Sequence, residues 1–90
     1  MITIKKYLSD LKVGQTGKIV KILINDKPIR RHLLDLGLTF GTIVTVKKIS
    51  PSGDPIDISL RGYQLCLRKK DLEEIEIELI EQNSLSHSLF

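Results

Sequence analysis

The stretch that decides the fold of this 90-residue chain is IDISLRGYQLCLRKKDLEEIEIEL, residues 56–79. Apolar and polar residues alternate in two parts of it, 56–61 and 74–79, and a period of two is typical of a strand with one buried face. Between these parts, Gly62 predicts a turn into a further strand that places Leu65 and Leu67 on one face. The stretch therefore predicts three strands, the first two of which form a hairpin.

Two further strands are predicted upstream, at residues 16–24 and 42–49. Both segments are rich in β-branched and aliphatic residues and are followed by turn formers, Asn25-Asp26 and the cluster at 50–55. Five antiparallel strands with long exposed edges would risk edge-to-edge association, and closure into a barrel removes those edges. We therefore expect a mainly β fold, a small five-stranded antiparallel barrel in which the last strand pairs with the first.

One short α-helix is predicted between strands one and two, at residues 27–36. Asp26 is placed to cap its N-terminus, Pro28 falls in the first turn, where a missing N–H costs nothing, and Gly37 ends it. At 100° per residue, one stripe of the helix is apolar and should cover the barrel. That stripe consists of Ile29, Leu33 and Leu36.

The charge distribution is asymmetric along the chain. Residues 1–70 hold all 14 Lys and Arg but only five of the 11 acidic residues, which gives this part a formal charge of +9. If the acidic last strand lies beside basic strands, its glutamates come near Lys18 or Lys21 and the two parts neutralise each other. The alternative is a basic face that receives an acidic partner.

Composition limits the classes of protein that this chain can belong to. The longest aliphatic run, Ile22-Leu23-Ile24, is far shorter than the roughly 20 residues of a membrane-spanning helix. A single cysteine excludes an intrachain disulfide. Two Tyr, two Phe and no Trp leave no stacking platform for single-stranded nucleic acid. We expect a soluble cytoplasmic protein that binds no nucleic acid and does not insert into a membrane.

Length and periodicity predict one domain, residues 1–80, followed by a disordered C-terminal tail, residues 81–90. Ninety residues are too few to fill two cores. The tail is polar with scattered Leu and shows no period. No cofactor is indicated by any motif in the chain.

Few residues could take part in chemistry. His32 and Asp35, one helical turn apart, and Cys66 are the weak candidates for a transition-metal site, and His87 in the tail could add to one. The alternative is that neither residue binds a metal: His32 is packed and hydrogen-bonded, and Cys66 is an ordinary strand residue. No pairing of a nucleophile with a base or of two carboxylates is indicated, so we do not expect an enzyme.

The predicted interaction surface lies on the helix. Arg30 and Arg31 flank Leu34, which falls off the apolar stripe, and an aliphatic residue ringed by arginines is typical of a protein-docking site. The alternative is that Leu34 only covers the neighbouring loop at residues 38–40.

Two segments in this order carry a resemblance to a known family. They are LSDLKVGQTGKIVKI, residues 8–22, and RRHLLDLGLTFGT, residues 30–42, whose L-x-x-L-G-L-x-x-G run follows a capped basic helix. Together with Asp54-Pro55-Ile56 and the Arg61-Gly62 turn, they make the chain similar to FeoA domains over about residues 8–78.

The resemblance implies an SH3-like barrel that serves as a non-enzymatic accessory protein of ferrous iron uptake. Such a protein would bind the cytoplasmic side of the transporter FeoB and would be peripheral to the inner face of the cell membrane through that partner. Similar domains also occur in metal-dependent repressors. The alternative is therefore a regulatory SH3-like module that acts on a separate repressor or another protein. Weak binding of a transition metal ion and a weak homo-oligomer are left open.

Overall fold

The computed structural model describes residues 6–80. The tail predicted at residues 81–90, including His87, lies outside the described residues. The described part is mainly β, with one three-residue 3-10 turn at Leu8–Asp10. Its strands are β1 (Lys6–Tyr7), β2 (Thr16–Ile22), β3 (Ile43–Ile49), β4 (Ile56–Leu60), β5 (Tyr63–Leu67) and β6 (Ile75–Ile80). Its helices are α1 (Lys27–Asp35) and α2 (Lys69–Leu72).

All six strands form one antiparallel sheet in the order β1-β6-β2-β3-β4-β5. The long strand predicted last, β6, pairs with the long strand predicted first, β2, with Lys18 opposite Glu78 in the register. The predicted pairing of the last and first strands is therefore confirmed, and so is the hairpin of β4 and β5.

The sequence prediction of a closed five-stranded barrel needs correction. A sixth strand, β1, pairs with β6 through Lys6 and Tyr7 alone, and a two-residue strand is too short to show a periodicity. Within residues 6–80, β1 and β5 have no pairing with each other, so the sheet is open. The helix predicted between strands one and two consequently lies between the second and third strands.

The sheet curls around a single apolar core. Pairing registers shift between Ile19 and Lys21 and again between Val46 and Lys48, and such bulges bend and twist strands. Gly17 allows β2 and β6 to pack closely, because a Cβ there would lie 2.7 Å from Ile77 Cδ1. The fully buried side chains include Leu8, Ile19, Leu33, Leu38, Val44, Val46, Ile58, Leu60, Leu72 and Ile75.

Helix α1 forms as the sequence predicts. The Asp26 carboxylate accepts a hydrogen bond from the Ile29 N–H at 3.2 Å, and Gly37 follows the helix with a φ of 103°, a conformation that favours glycine. Leu33 is buried in the core while Ile29 and Leu36 pack partly against it, so the predicted apolar stripe is confirmed.

The acidic last strand neutralises only part of the basic charge. Lys18 Nζ lies 3.8 Å from Glu78 Oε1, as the strand pairing predicts, and Arg68 Nε lies 3.5 Å from Asp71 Oδ2. These are the two ion pairs within residues 6–80. Most of the basic side chains in this part of the chain are therefore available to a partner.

Neither helix in residues 6–80 has the length and apolar character needed to span a membrane.

Candidate functional site

In the described part of the chain, helix α1 borders two surface grooves whose described lining residues do not overlap. One, the Leu34 groove, has a volume of about 420 Å³ and lies between α1 and β2. It is lined by Ile19, Lys21, Ile22, Arg30, Leu34 and Phe40. The other, the His32 groove, has a volume of about 380 Å³ and lies between α1 and the segment from β5 to α2. It is lined by Pro28, Ile29, His32, Leu33, Cys66, Leu67, Arg68 and Asp71.

The Leu34 groove exposes apolar side chains. Phe40 is 78% exposed, the highest value among the large hydrophobic residues of the described part, and Leu34 is 36% exposed. The loop that carries Phe40 is anchored, because the Gly41 N–H donates to the Ile19 C=O at 2.7 Å and the Thr42 hydroxyl donates to the Gly37 C=O at 2.9 Å. Backbone and side-chain hydrogen bonds therefore hold the phenyl ring at the rim of the groove.

Two cations and, among residues 6–80, no acidic residue line the Leu34 groove. Lys21 is exposed and stands opposite Glu76 in the strand register, but it makes no ion pair with any described residue. Arg30 is exposed and likewise has no ion pair within residues 6–80. The groove thus combines exposed apolar surface with positive charge that the fold leaves unneutralised.

The structure brings together two of the three predicted interaction residues. Arg30 and Leu34 both line the Leu34 groove, whereas Arg31 is exposed on the same helix without lining it. Leu34 lines the same groove as Phe40 of the neighbouring loop, and 36% of the Leu34 surface is exposed. The role of these three residues in binding stays a prediction.

Sequence reasoning missed four residues of the groove, the apolar Ile19 and Ile22 of β2 and the exposed Lys21 and Phe40. The signal for Phe40 in the sequence is only its size, a large aromatic residue in a short loop between Thr39 and Gly41, and single exposed hydrophobic residues are common on protein surfaces. Lys21 carries no comparable signal. A lysine on a strand is usually just a solvated residue.

The two charged residues that line the His32 groove are paired with each other. Arg68 is paired with Asp71 as described, and the Asp71 side chain is largely buried. On the neighbouring strand, Asp57 stands opposite Cys66. A hydrogen bond to the Asp57 carboxylate raises the pKa of the exposed Cys66 thiol, with further contributions from desolvation and from the charges of Asp57 and Asp54. The thiol therefore stays protonated at neutral pH.

Two of the three metal candidates lie in the same groove. His32 and Cys66 both line the His32 groove, whereas Asp35, exposed on α1, does not. Within residues 6–80, the structure has no group of three or more His, Cys, Asp or Glu that could hold a metal ion. A metal site at these residues stays a prediction.

The fold and the groove together define a class of protein, a small SH3-like domain with a basic and apolar surface groove. The SH3-like assignment is supported by the zinc complex of FeoA from Stenotrophomonas maltophilia, a prokaryotic SH3-domain protein. This chain matches that structure with a TM-score of 0.69 at 22% identity, over 81% of this chain and 89% of that one.

The FeoA domain family matches residues 6–79, and the chain belongs to this family. A solution structure of an FeoA-like protein from Clostridium acetobutylicum is similar over 91% of this chain and 94% of its own length. The two are 32% identical, and their structures superpose with a TM-score of 0.80.

A curated relative links the family to a transporter. The Fe(2+) transport protein A/Fe(2+) transporter FeoB fusion protein of Porphyromonas gingivalis is 33% identical to this chain over 79 residues. The alignment covers 88% of this chain and 9% of the fusion protein. The chain thus spans less than a tenth of the length of this relative.

Proposed function

We propose that this chain is a non-enzymatic accessory protein of ferrous iron uptake that binds the cytoplasmic side of an FeoB-type transporter. The observation that carries the proposal is the fusion protein of P. gingivalis, in which a region homologous to this chain belongs to the same polypeptide as FeoB. Two functions joined in one polypeptide in one organism commonly act together when they are separate chains in another.

The surface proposed for this contact is the Leu34 groove together with Arg31 beside it. Interfaces are enriched in aromatic residues and arginine, and a few such residues carry most of the binding energy. Phe40 and Arg30 provide both kinds of side chain at one groove, and Leu34 provides an exposed aliphatic surface between them. Partner binding would remove this apolar surface from water.

The proposal is tested by titrating the purified chain onto an immobilised FeoB-type transporter from the same organism, reconstituted in lipid nanodiscs. Leu34→Gln, Arg31→Glu and Phe40→Ser are each expected to weaken binding by about tenfold or more, which corresponds to about 1.4 kcal/mol. The melting temperature of each variant should change by no more than a few degrees, because the three side chains are exposed.

Matched controls come from exposed residues outside the groove. Val13→Ser removes a side chain that is 58% exposed, as a control for Phe40→Ser, and Lys47→Glu repeats the charge change of Arg31→Glu on β3. Both controls should bind like the wild type. Absence of any saturable binding by the wild type would contradict the proposed function, and equal losses in the control variants would contradict the proposed surface. The alternative of a regulatory module stays a prediction.

A further inference from the structure

We propose that the Leu34 groove recognises a short linear segment in which a large apolar side chain is flanked by acidic residues. The inference rests on the proposed function only in placing this segment in the transporter, and the chemistry of recognition follows from the groove itself.

The apolar part of the segment is indicated by the floor and rim of the groove. Ile19 at the floor is fully buried, Ile22 beside it is half-buried, and Phe40 and Leu34 border the opening. A volume of about 420 Å³ lies within the range of about 300–1,000 Å³ that is typical of ligand pockets. The recess therefore suits an inserted side chain.

The acidic flanks are indicated by the cations. A segment that covers the groove takes Lys21 and Arg30 partly out of water, and such desolvation is unfavourable unless a carboxylate compensates it. Among residues 6–80 no carboxylate forms an ion pair with either cation: Glu76 stands across the strand pairing from Lys21 without an ion pair, and Asp26 on the helix is engaged in capping. Acidic residues of a partner would supply the compensating charge.

The shape of the groove favours a segment over an anionic lipid surface. A flat layer of headgroups could meet the exposed Phe40 and the two cations, but it would not enter the groove as far as the half-buried Ile22. A peptide side chain can fill the recess while its neighbours in sequence reach the cations at the rim.

The probe is a fluorescein-labelled ten-residue peptide with a central Leu-Phe pair, two acidic residues on each side and neutral ends. We expect saturable binding to the intact chain by fluorescence anisotropy at low salt. Raising the ionic strength from about 0.05 M to about 0.5 M should weaken it several-fold, because exposed charge pairs are screened. A peptide with lysines in place of the acids should bind at least about tenfold more weakly.

A charge swap provides the sharpest test. The double variant Lys21→Glu/Arg30→Glu should lose the acidic peptide and gain the lysine peptide, whereas the control Lys47→Glu/Lys48→Glu, two exposed residues of β3, should keep the original preference. Phe40→Ser should weaken both complexes by a similar factor. Circular dichroism melting curves verify that each variant is folded.

Several outcomes would overturn the inference. They are no binding of the acidic peptide below about 1 mM, equal binding of the two peptides, indifference to the charge swap, or binding only to vesicles of anionic phospholipid. Formation of a dimer through this groove, detected by sedimentation, would make a second copy the occupant. If the transporter binds and the peptide does not, the inference fails and the proposed function stands. If the peptide binds and the transporter does not, the inference stands and the proposed function fails.

Discussion

The two grooves beside α1 are similar in size, but they differ in whether their charged side chains form ion pairs among the described residues. In the His32 groove, Arg68 is paired with Asp71, and the thiol of Cys66 is held neutral by Asp57 on the neighbouring strand. In the Leu34 groove, Lys21 and Arg30 have no ion pair among the described residues, and Phe40 stands 78% exposed at the rim.

The contrast shows that the helix alone does not decide what its surfaces can bind. Both grooves receive apolar residues from α1, but the segment facing the helix differs. At the His32 groove the facing segment brings its own acid, whereas β2 brings a lysine. A groove that neutralises its own charge gains little from a charged partner. A groove with unpaired cations binds an acidic partner more favourably. We therefore expect binding at the Leu34 groove.

The largest effect is expected from Leu33→Ala, which would disrupt both grooves. Leu33 is 1% exposed and joins α1 to the core, so its truncation should lower the free energy of unfolding by about 2–5 kcal/mol. The neighbouring Leu34→Ala, at a residue that is 36% exposed, should cost less than about 1 kcal/mol. Urea denaturation followed by circular dichroism measures both. Equal losses would mean that Leu34 belongs to the core and that the Leu34 groove is not a binding surface.

A smaller effect is expected on the reactivity of Cys66. Because Asp57 raises the pKa of the thiol, its alkylation by iodoacetamide should be slow at neutral pH and should accelerate only above the ordinary thiol pKa of about 8.5. Asp57→Asn removes the negative charge, so the rate profile should move to lower pH, while Asp35→Asn on α1 should leave it unchanged. A profile that Asp57→Asn leaves in place would contradict the proposed control of the thiol.

The raised pKa of the Cys66 thiol should also make the protein less stable at alkaline pH. The pKa of the thiol is higher in the folded than in the unfolded protein. The stabilisation that follows from this difference is fully present below the unfolded pKa and is lost as pH rises through the folded pKa. In the Asp57→Asn variant, the free energy of unfolding should fall less between pH 7 and alkaline pH than it does in the wild type. Urea denaturation at both pH values measures this difference.

The smallest effect is expected for zinc. Because residues 6–80 contain no cluster of three potential ligands, zinc titrated at neutral pH should give the same weak heats for the wild type and for His32→Ala. Saturable binding that His32→Ala abolishes would instead establish a metal site in the His32 groove. The two grooves would then differ in the ligand that each binds, a metal ion in the His32 groove and a peptide segment in the Leu34 groove.

Local sequence determined much of the fold. Alternation predicted β4 and β6, and the cap at Asp26, the proline in the first turn and Gly37 predicted α1 to within one residue at its C-terminal end. Charge complementarity also indicated which strands pair, and the 3.8 Å contact between Lys18 and Glu78 confirms it. These features depend on residues that are adjacent in the chain or on a periodicity within one element.

The sixth strand and the open sheet could not be predicted in this way. Lys6–Tyr7 becomes a strand only because the edge of β6 offers hydrogen-bonding groups, and two residues contain no pattern that indicates it. The short helix α2, Lys69–Leu72, is likewise too short to show a periodicity. Closure was inferred from the general cost of exposed edges, and no pairing in the described residues joins β1 to β5.

The sequence by itself determined that this is a small β domain with one amphipathic helix, and that Arg30 and Leu34 face away from the apolar stripe of that helix. Only the tertiary structure decided that Lys21 and Phe40 join them in one groove and that Arg31 stands outside it. Periodicity describes how a residue faces within its own element. The position of a strand lysine and a loop phenylalanine beside a helix depends on how the sheet curls, and long-range pairing sets that curl.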